Sequence, residues 1–534
     1  MLRDRGHQTS RLLRLILRRD RVRIAIWLVG ITLLTVVVAS AYTELASTEQ
    51  ERQVMAETMR NPAMTAMLGP GYGLDDYTIG AMMGHQMLLF TALAVAIMCI
   101  FLVARHTRGD EEYGRIEMLR SLPVGRLSNL SATGLVLLGS CLLIMLMVGI
   151  SLSALGIESL DWSGSLLYGA ALAATGLFFG AVTALFAQLA ETTRGTVGWS
   201  VALLLLAYLI RAIGDVGNEV IAWLSPLGWI VRSQVYVNNY WNPVFLTALA
   251  ASMVFAFALY LHSIRDLEAG FIPARPGRRS ASRFLQTPLG LAVRLQRTAL
   301  IAWAVGLFVL GASYGSVLGD LEVYLETMDL IQLMLPAVEG FSLTEQFLPM
   351  LFSVISIVST IPVLLMLLKL NAEENLNRTE PLLARSVSRN RLMSSYFGIA
   401  LVVSMVVQLL AVLGMWSAGV AVMEDPMAFE TIFNAGIVYL PAIWVMMGIA
   451  VLLIGFVPRW AGGIWLYLGY SFLVVYIGEL LQIPQWMANL SPFGHIPKIP
   501  IEDFSWPIFL VLTLLAVGFV VAGFMGYGRR DIQG

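Results

Sequence analysis

The sequence predicts an all-α polytopic membrane protein with twelve transmembrane helices, arranged as two six-helix repeats of parallel topology. Of its 534 residues, 58% are apolar and 13% are charged, about half the charged share of a typical soluble domain. Apolar runs of about 20 residues, the length that crosses a bilayer as a helix, recur along the whole chain. Several short motifs also occur twice in the same order, and together these features exclude an ordinary soluble enzyme.

Hydropathy in windows of about 19 residues places each membrane span. The predicted spans are 24–43, 86–105, 129–155, 165–189, 197–213, 243–262, 300–318, 348–369, 395–418, 436–456, 462–480 and 507–527. Because twelve is even, the two termini are predicted to lie on the same side of the membrane.

The placement of Lys and Arg predicts the orientation. The side that carries the termini holds 29 of these residues and the opposite side holds 5, and basic residues in short loops favour the cytoplasm. Both termini are therefore predicted to be cytoplasmic. A cleaved signal sequence is an alternative for the first span, because that span ends in Ala39-Ser40-Ala41. The same Arg-rich pattern recurs inside the chain, where no signal sequence operates.

The repeat is visible in six pairs of motifs that follow the same order in both halves. One pair, Glu111-x-x-Gly114-Arg115-x-Glu117 and Glu374-x-x-Asn377-Arg378-x-Glu380, is separated by 263 residues. The other pairs begin at Arg18 and Arg294, Val124 and Val387, Ile213 and Ile477, Leu224 and Leu490, and Arg265 and Arg530.

These repeats predict the domain organisation. Residues 1–270 are predicted to form the first six-helix half with an N-terminal amphipathic helix, 271–286 a cytoplasmic linker, and 287–534 the second half. Parallel repeats are related by a pseudo-twofold axis along the membrane normal. Two such bundles are expected to enclose a cleft near the midplane.

The basic segment 8–23 alternates Arg with Leu and Ile, which is typical of a helix that lies in the headgroup layer of anionic lipid. A second interpretation is that these Arg residues only set the topology, and both can hold.

Two cytoplasmic loops, inner loop 1 (106–126) and inner loop 2 (370–391), carry acids and bases at helical spacing. Membrane anchoring needs only positive charge, so a short helix with both signs, present twice, favours docking of a partner that also comes in two copies. The alternative is a surface helix whose charges pair internally, because Glu111 and Arg115 stand at the favourable i,i+4 spacing.

With these motifs, the chain resembles the type-two permeases of ABC transporters, and in particular the double-length tetronasin-type exporters of polyketide antibiotics. The resemblance rests on Glu-x-x-Gly-Arg-x-Glu-x-Leu followed by Pro123-Val124-Gly125-Arg126, on Arg105-His106-Thr107-Arg108, and on the stretch 224–229. It implies that both inner loops contain coupling helices that contact ATPase subunits. The candidate docking residues are Glu111, Arg115, Glu117, Arg126, Glu374, Arg378, Glu380 and Arg389. Inner loop 2 departs from the pattern at Asn377 and Ser386, which predicts weaker or asymmetric docking.

The chain contains no Gly-x4-Gly-Lys-[Ser/Thr] motif, which a phosphate-binding P-loop requires. The sequence therefore predicts no ATP site and no bound cofactor in this chain, and the resemblance places ATP and Mg²⁺ on two copies of a separate cytoplasmic ABC ATPase. No catalytic residues and no metal site are expected. Cys99 and Cys141 lie within apolar runs and are interpreted as small buried hydrophobic residues.

The outer segments 214–242 and 478–506 are too short to span and are broken by Gly and Pro. They are interpreted as re-entrant hairpins that close the outward end, with interfacial aromatic residues and snorkelling charges as the alternative. The candidate outer-gate residues are Asp215, Pro226, Gly228, Glu479, Pro492 and Gly494.

The functional hypothesis is the permease subunit of an ABC exporter in the bacterial cytoplasmic membrane, which extrudes hydrophobic small molecules. Its expected partners are the ATPase pair, membrane lipid and the substrate, with no nucleic acid. The main alternative is a twelve-helix proton-coupled secondary drug carrier, against which stands the scarcity of ionisable residues within the spans. A lipid-modifying membrane enzyme and an assembly that transmits force without export are further alternatives.

Overall fold

The computed structural model describes residues 7–60, 62–266, 269–272, 280–318, 341–385, 387–423, 426–477 and 485–531. Every regular element within these residues is helical, as the apolar composition predicts. The chain divides into two compact units, residues 1–277 and 278–534.

Among its described residues, the first unit contains six long helices and five short ones. Its elements are α1 (Thr9–Leu45), α2 (Glu49–Met59), α3 (Pro62–Leu68), α4 (Ile79–Glu112), α5 (Arg115–Arg120), α6 (Ser128–Ser153), α7 (Trp162–Leu189), α8 (Thr193–Val216), α9 (Glu219–Ala222), α10 (Pro226–Val231) and α11 (Asn242–Ile264).

Helix α7 lies at the centre of the first unit and packs against α4, α6 and α11. Its buried face is rich in Gly and Ala, which lets neighbouring helix backbones approach closely inside a membrane. The two cysteines lie in this core, both buried and free, with their sulfur atoms 3.7 Å apart.

The second unit follows the same order, but among its described residues a helix of only nine residues, Ile464–Phe472, stands at the place of α8. Its elements are α12 (Pro288–Val317), α13 (Leu343–Asn375), α14 (Glu380–Leu383), α15 (Arg389–Val422), α16 (Phe429–Ile437), α17 (Leu440–Phe456), α18 (Ile464–Phe472), α19 (Gln485–Ala488) and α20 (Trp506–Arg529). A 3₁₀ turn, Pro458–Gly463, precedes α18.

The two units pack their helices in the same pairs. In the first unit α1 packs against α6, α4 against α7, and α7 against α11; in the second, α12 packs against α15, α13 against α17, and α17 against α20. Spans one and three, two and four, and four and six therefore form neighbouring pairs in both halves.

Eleven helices among the described residues are long and apolar enough to cross a membrane, and the predicted spans are confirmed at these positions. The remaining predicted span, 462–480, corresponds to α18 and a π-helical turn, Leu473–Ile477. Its last residues lie outside the described part of the chain.

The N-terminal basic segment is not a separate helix. It is the beginning of α1, a single helix of 37 residues that is about 55 Å long at 1.5 Å per residue, well beyond the roughly 30 Å of hydrocarbon. Leu12, Ile16 and Asp20 form its buried face while Arg11 and Arg14 are exposed. The segment is thus amphipathic, but it continues into the first span without a break because no cap, proline or glycine interrupts residues 9–29.

Helices α2 and α3, between the first two spans, were not anticipated by hydropathy. The sequence signal is Thr48-x-x-Glu51, a capping box, in which the Thr48 amide donates to the Glu51 carboxylate at 2.8 Å and the Glu51 amide to the Thr48 hydroxyl at 3.2 Å. Tyr77 belongs to the buried cluster beside these helices, and its hydroxyl lies 3.0 Å from Nδ1 of the buried His85.

Candidate functional site

Both inner loops contain the same backbone turn. Helix α4 ends at Glu112, and Gly114 then adopts φ +67° before α5 begins. At the equivalent place after α13, Asn377 adopts φ +55°. The amide of each residue donates to the carbonyl three residues earlier, at 2.9 Å to Glu111 and 2.8 Å to Glu374. Asparagine tolerates this left-handed conformation better than other side-chain-bearing residues, so the departure from glycine at 377 preserves the turn. Ser386 lies outside the described residues.

Four of the eight candidate docking residues point into their own half. Glu111 is buried and binds Nη2 of Arg265 and Nη1 of Arg108, the latter at 2.8 Å. Glu374 is buried likewise and accepts from the Tyr527 hydroxyl at 2.5 Å and from Arg530.

The two loop arginines are also engaged within their own half. Arg126 donates to the main-chain carbonyl of Arg265 at 2.5 Å, and Arg389 donates to the carbonyl of Arg530. The side chains of Glu111, Arg126, Glu374 and Arg389 therefore form intramolecular contacts in each half.

The expected Glu111–Arg115 pair does not form. Nη1 of Arg115 instead lies 2.9 Å from Asp110, and Glu111 is held by the arginine that follows the last helix of the first half, 154 residues away in sequence. Local i,i+4 spacing identified the ionic character of inner loop 1, but the actual partners come from other helices.

The other four docking candidates lie at the surface. Glu117, Glu380 and Arg378 are exposed and Arg115 is partly exposed. Around them inner loop 1 presents Tyr113 at 71%, Met118 at 66% and Leu122 at 57% exposure, and inner loop 2 presents Leu376 at 53%. Both loops therefore expose large apolar side chains beside charged ones.

Inner loop 1 carries an additional ionic network that sequence reasoning missed. Nε2 of His106, a fully buried residue, lies 2.7 Å from an oxygen of the buried Asp20. Arg19 binds Asp110 at 3.0 Å, and Arg105 approaches Asp20 at 3.2 Å. The signal was available, because Asp20 is the single acid within the Arg-rich run of α1.

Inner loop 2 has a simpler set of contacts. The repeats align Asp20 with Gln296 and His106 with Lys369. Lys369 pairs with Glu373 at 2.7 Å, whereas both polar atoms of the Gln296 amide are buried without a hydrogen-bond partner. Thus α1 is bound to its loop by charge, and the same positions in α12 carry no charge.

A small cavity separates α1 and α5 from the start of α6. It is lined in part by Leu12, Leu119, Arg120 and Arg126, and its volume of about 20 Å³ is room for about one water molecule. Burial lowers the pKa of Arg120, and the nearby charge of Arg126 lowers it further. Both arginines stay protonated at neutral pH, and Glu111 also lines the cavity.

The outer segment of the first half folds back along α8. The Ser225 hydroxyl donates to the carbonyl of Ala207 at 2.6 Å, nine residues before the end of α8 and so about 14 Å along it. The following residues Leu227 and Ile230 are fully buried. This geometry favours the re-entrant interpretation, although Trp223 and Tyr240 are partly exposed as interfacial aromatics are.

Gly228 and Gly494 have the same structural role. A Cβ on Gly228 would lie 2.2 Å from the carbonyl oxygen of Ala222, and one on Gly494 would lie 2.5 Å from that of Ala488. Pro226 and Pro492 each occupy the first turn of the adjoining short helix. Only glycine permits this close approach.

Asp215 belongs to a buried ionic group near the outer end of α8. Its carboxylate lies 3.3 Å from Arg211 and 3.0 Å from Arg232. Arg211, fully buried, also donates to the carbonyls of Ala66 at 2.8 Å and Met67 at 3.1 Å. Because these carbonyls end α3, the Arg211 guanidinium caps that helix and joins it to α8. Glu479, the corresponding residue of the second half, lies outside the described residues.

We expect Gly114→Ala to lower the free energy of unfolding by about 1–2 kcal/mol, since an L-residue is strained at φ +67°. Gly114→Asn should be better tolerated, as at position 377. Thermal unfolding of the purified protein measures the effect. Gly139→Ala is the matched control, because a Cβ there meets open space in a helix; equal destabilisation by both alanines would contradict the turn argument.

We expect Arg211→Gln to lower the free energy of unfolding by about 3–5 kcal/mol, because removing one member of a buried ionic group leaves the others uncompensated. Arg194→Gln, at an exposed position of the same helix, should change it by less than about 0.5 kcal/mol. Denaturant or thermal unfolding followed by tryptophan fluorescence measures both. Equal stability of the two variants would show that the Arg211 contacts are unimportant.

Comparison with known proteins agrees with this architecture. The model of the family "Multidrug efflux system permease Rv1217c, C-terminal domain" matches residues 10–261 and 285–528, one stretch in each half of the chain. The chain is also 35% identical to the multidrug efflux system permease protein Rv1217c of Mycobacterium tuberculosis, over 98% of this chain and 95% of that protein. The narrower resemblance to tetronasin-type exporters stays a prediction. From the match of both stretches and the identity across nearly the whole chain, the protein belongs to the Rv1217c family of multidrug efflux permeases.

Proposed function

We propose that this chain is the membrane permease of a drug exporter and that it moves hydrophobic small molecules with energy from ATP hydrolysed by two copies of a separate ATPase subunit. ATP and Mg²⁺ would bind to that partner. The name of the mycobacterial relative, a multidrug efflux system permease, supports the substrate class. The observation that supports the partner is the pair of exposed, mixed-charge and apolar surfaces on inner loops 1 and 2.

The orientation of the proposed assembly follows from charge. With 29 of the 34 basic residues on the side of the termini, the inner loops and both termini would face the cytoplasm, where ATP is available. The proposed docking surface consists of Glu117, Met118 and Leu122 in inner loop 1, and of Leu376 and Glu380 in inner loop 2.

Each inner loop is directly continuous with the helix of the second span. Helix α4 continues from that span through a π-helical turn, Arg105–Gly109, to Glu112, and α13 runs to Asn375. A partner that displaces the exposed side chains would therefore displace the inner end of the second span in the same half. The permease would switch between two conformations because the ATPase makes different contacts with each of them.

The test reverses both exposed acids together. We expect Glu117→Arg with Glu380→Arg to abolish ATP-dependent export and the stimulation of ATPase activity by drug, while the protein remains in the membrane. The physical reason is like-charge repulsion at the docking surface, which costs several kcal/mol. Export from vesicles, ATPase activity and co-purification of the ATPase with the tagged permease are measured together.

The matched control is Glu158→Arg with Glu430→Arg, which reverses two exposed acids, one in each half, on the predicted outer face. This control should export normally. Full export by the Glu117/Glu380 variant would contradict the docking surface. Export by the wild-type protein that persists without ATP but collapses with the proton gradient would instead establish the secondary-carrier alternative.

A further inference from the structure

An identical ionic contact lies at the inner end of both halves, and it uses residues that the sequence marked only as repeats. Nη2 of Arg265 binds Glu111, and Nη2 of Arg530 binds Glu374. Each arginine directly follows the last helix of its half, α11 or α20. Each glutamate lies in the last turn of the helix that forms the second span, α4 or α13, in the first part of its inner loop.

A third residue completes each contact. Arg126, two residues before α6, donates to the main-chain carbonyl of Arg265, and Arg389, the first residue of α15, donates to that of Arg530. The amides of Arg265 and Arg530 themselves donate to Leu261 and Gly526, each at 3.0 Å. The last turn of the sixth span is thus fixed to the second and third spans. We call these three-residue groups the inner joints.

Burial makes the inner joints rigid. The side chains of Glu111 and Arg265 are 7% and 4% exposed, and those of Glu374 and Arg530 are 5% and 15% exposed. Separating such a pair leaves a desolvated charge without a partner, which is strongly unfavourable. If the second span moves at this level, the helix that carries the arginine is therefore expected to move with it, because the ion pair is then preserved.

We propose that Arg265 and Arg530 are positioning residues that make the sixth span of each half move together with its inner loop. This inference rests on the proposed function, because it requires the loops to be the parts that an ATPase displaces. The same three contacts occur in two separately folded halves, although the turn residue between glutamate and loop helix differs. A joint of this kind passes motion from the inner loop to the second and sixth spans at once.

The second half offers the cleaner test, because Glu374 has no second arginine comparable to Arg108 among its described contacts. Glu374→Gln with Arg530→Met removes both charges together and leaves no lone buried charge, so the variant should fold. We expect it to co-purify with the ATPase while the amount of drug exported per ATP hydrolysed falls by at least about fivefold, the lower end of ordinary coupling between sites. Arg529→Met, the exposed neighbour, is the matched control and should retain the wild-type ratio.

The reciprocal exchange, Glu374→Arg with Arg530→Glu, should restore most of the ratio, since it rebuilds the ion pair in reverse. A purely structural contact would lower export and ATP hydrolysis in proportion to the folded protein and leave their ratio unchanged. An unchanged ratio in the neutral variant, or no recovery in the exchange variant, overturns the inference. If the wild-type protein neither captures an ATPase nor requires ATP for export, the proposed function fails and the inference fails with it. If the wild-type protein captures an ATPase and requires ATP, the variants test only the role of the inner joints.

Discussion

The exclusion of charge from the hydrocarbon core is the constraint on which this structure depends. Moving an ionised side chain into lipid is costly, so the charges gather near the ends of the long helices, where they meet partners from other helices. The ion groups around Glu111 and Glu374 are examples, each joining segments that are distant in sequence. In the group around Asp215, Arg211 makes the distant link, to the carbonyl of Ala66. Apolar packing forms the helix pairs, and these polar contacts determine how the helix ends and loops attach to them.

The internal repeat is also a repeat of contacts. The Trp229 indole nitrogen donates to the Trp223 carbonyl at 2.6 Å, and Nε2 of His495 lies 2.8 Å from the Asn489 carbonyl oxygen, at the equivalent positions of the second half. Different side chains thus make the same contact. The repeated motifs mark places where the backbone has to turn, cap or approach closely, which explains why short motifs persist while the apolar residues between them differ.

Hydropathy predicts the helices well because a membrane requires every backbone group to be bonded within the span, so an apolar run of sufficient length has little choice of structure. The candidate site was only half predictable. Glu117 and Glu380 lie at the surface as expected, but Glu111 and Glu374 turn inward because each meets an arginine more than 150 residues away. No rule of local spacing contains that information. For the segment 8–23, the sequence pattern correctly predicts an amphipathic helix. It does not by itself predict that this helix continues into the first span, which follows from the absence of a helix break in α1.

The unequal attachment of the two inner loops has a practical consequence for genetics. Inner loop 1 is tied to α1 through Arg19, Asp20, His106 and Asp110, whereas the aligned residues of α12 carry no ionic group. The same amino-acid substitution is therefore expected to have different effects in the two loops. Mutant libraries that vary only one half will test the contacts of one inner loop. Phenotypes found in that half should not be assigned to the other half by symmetry.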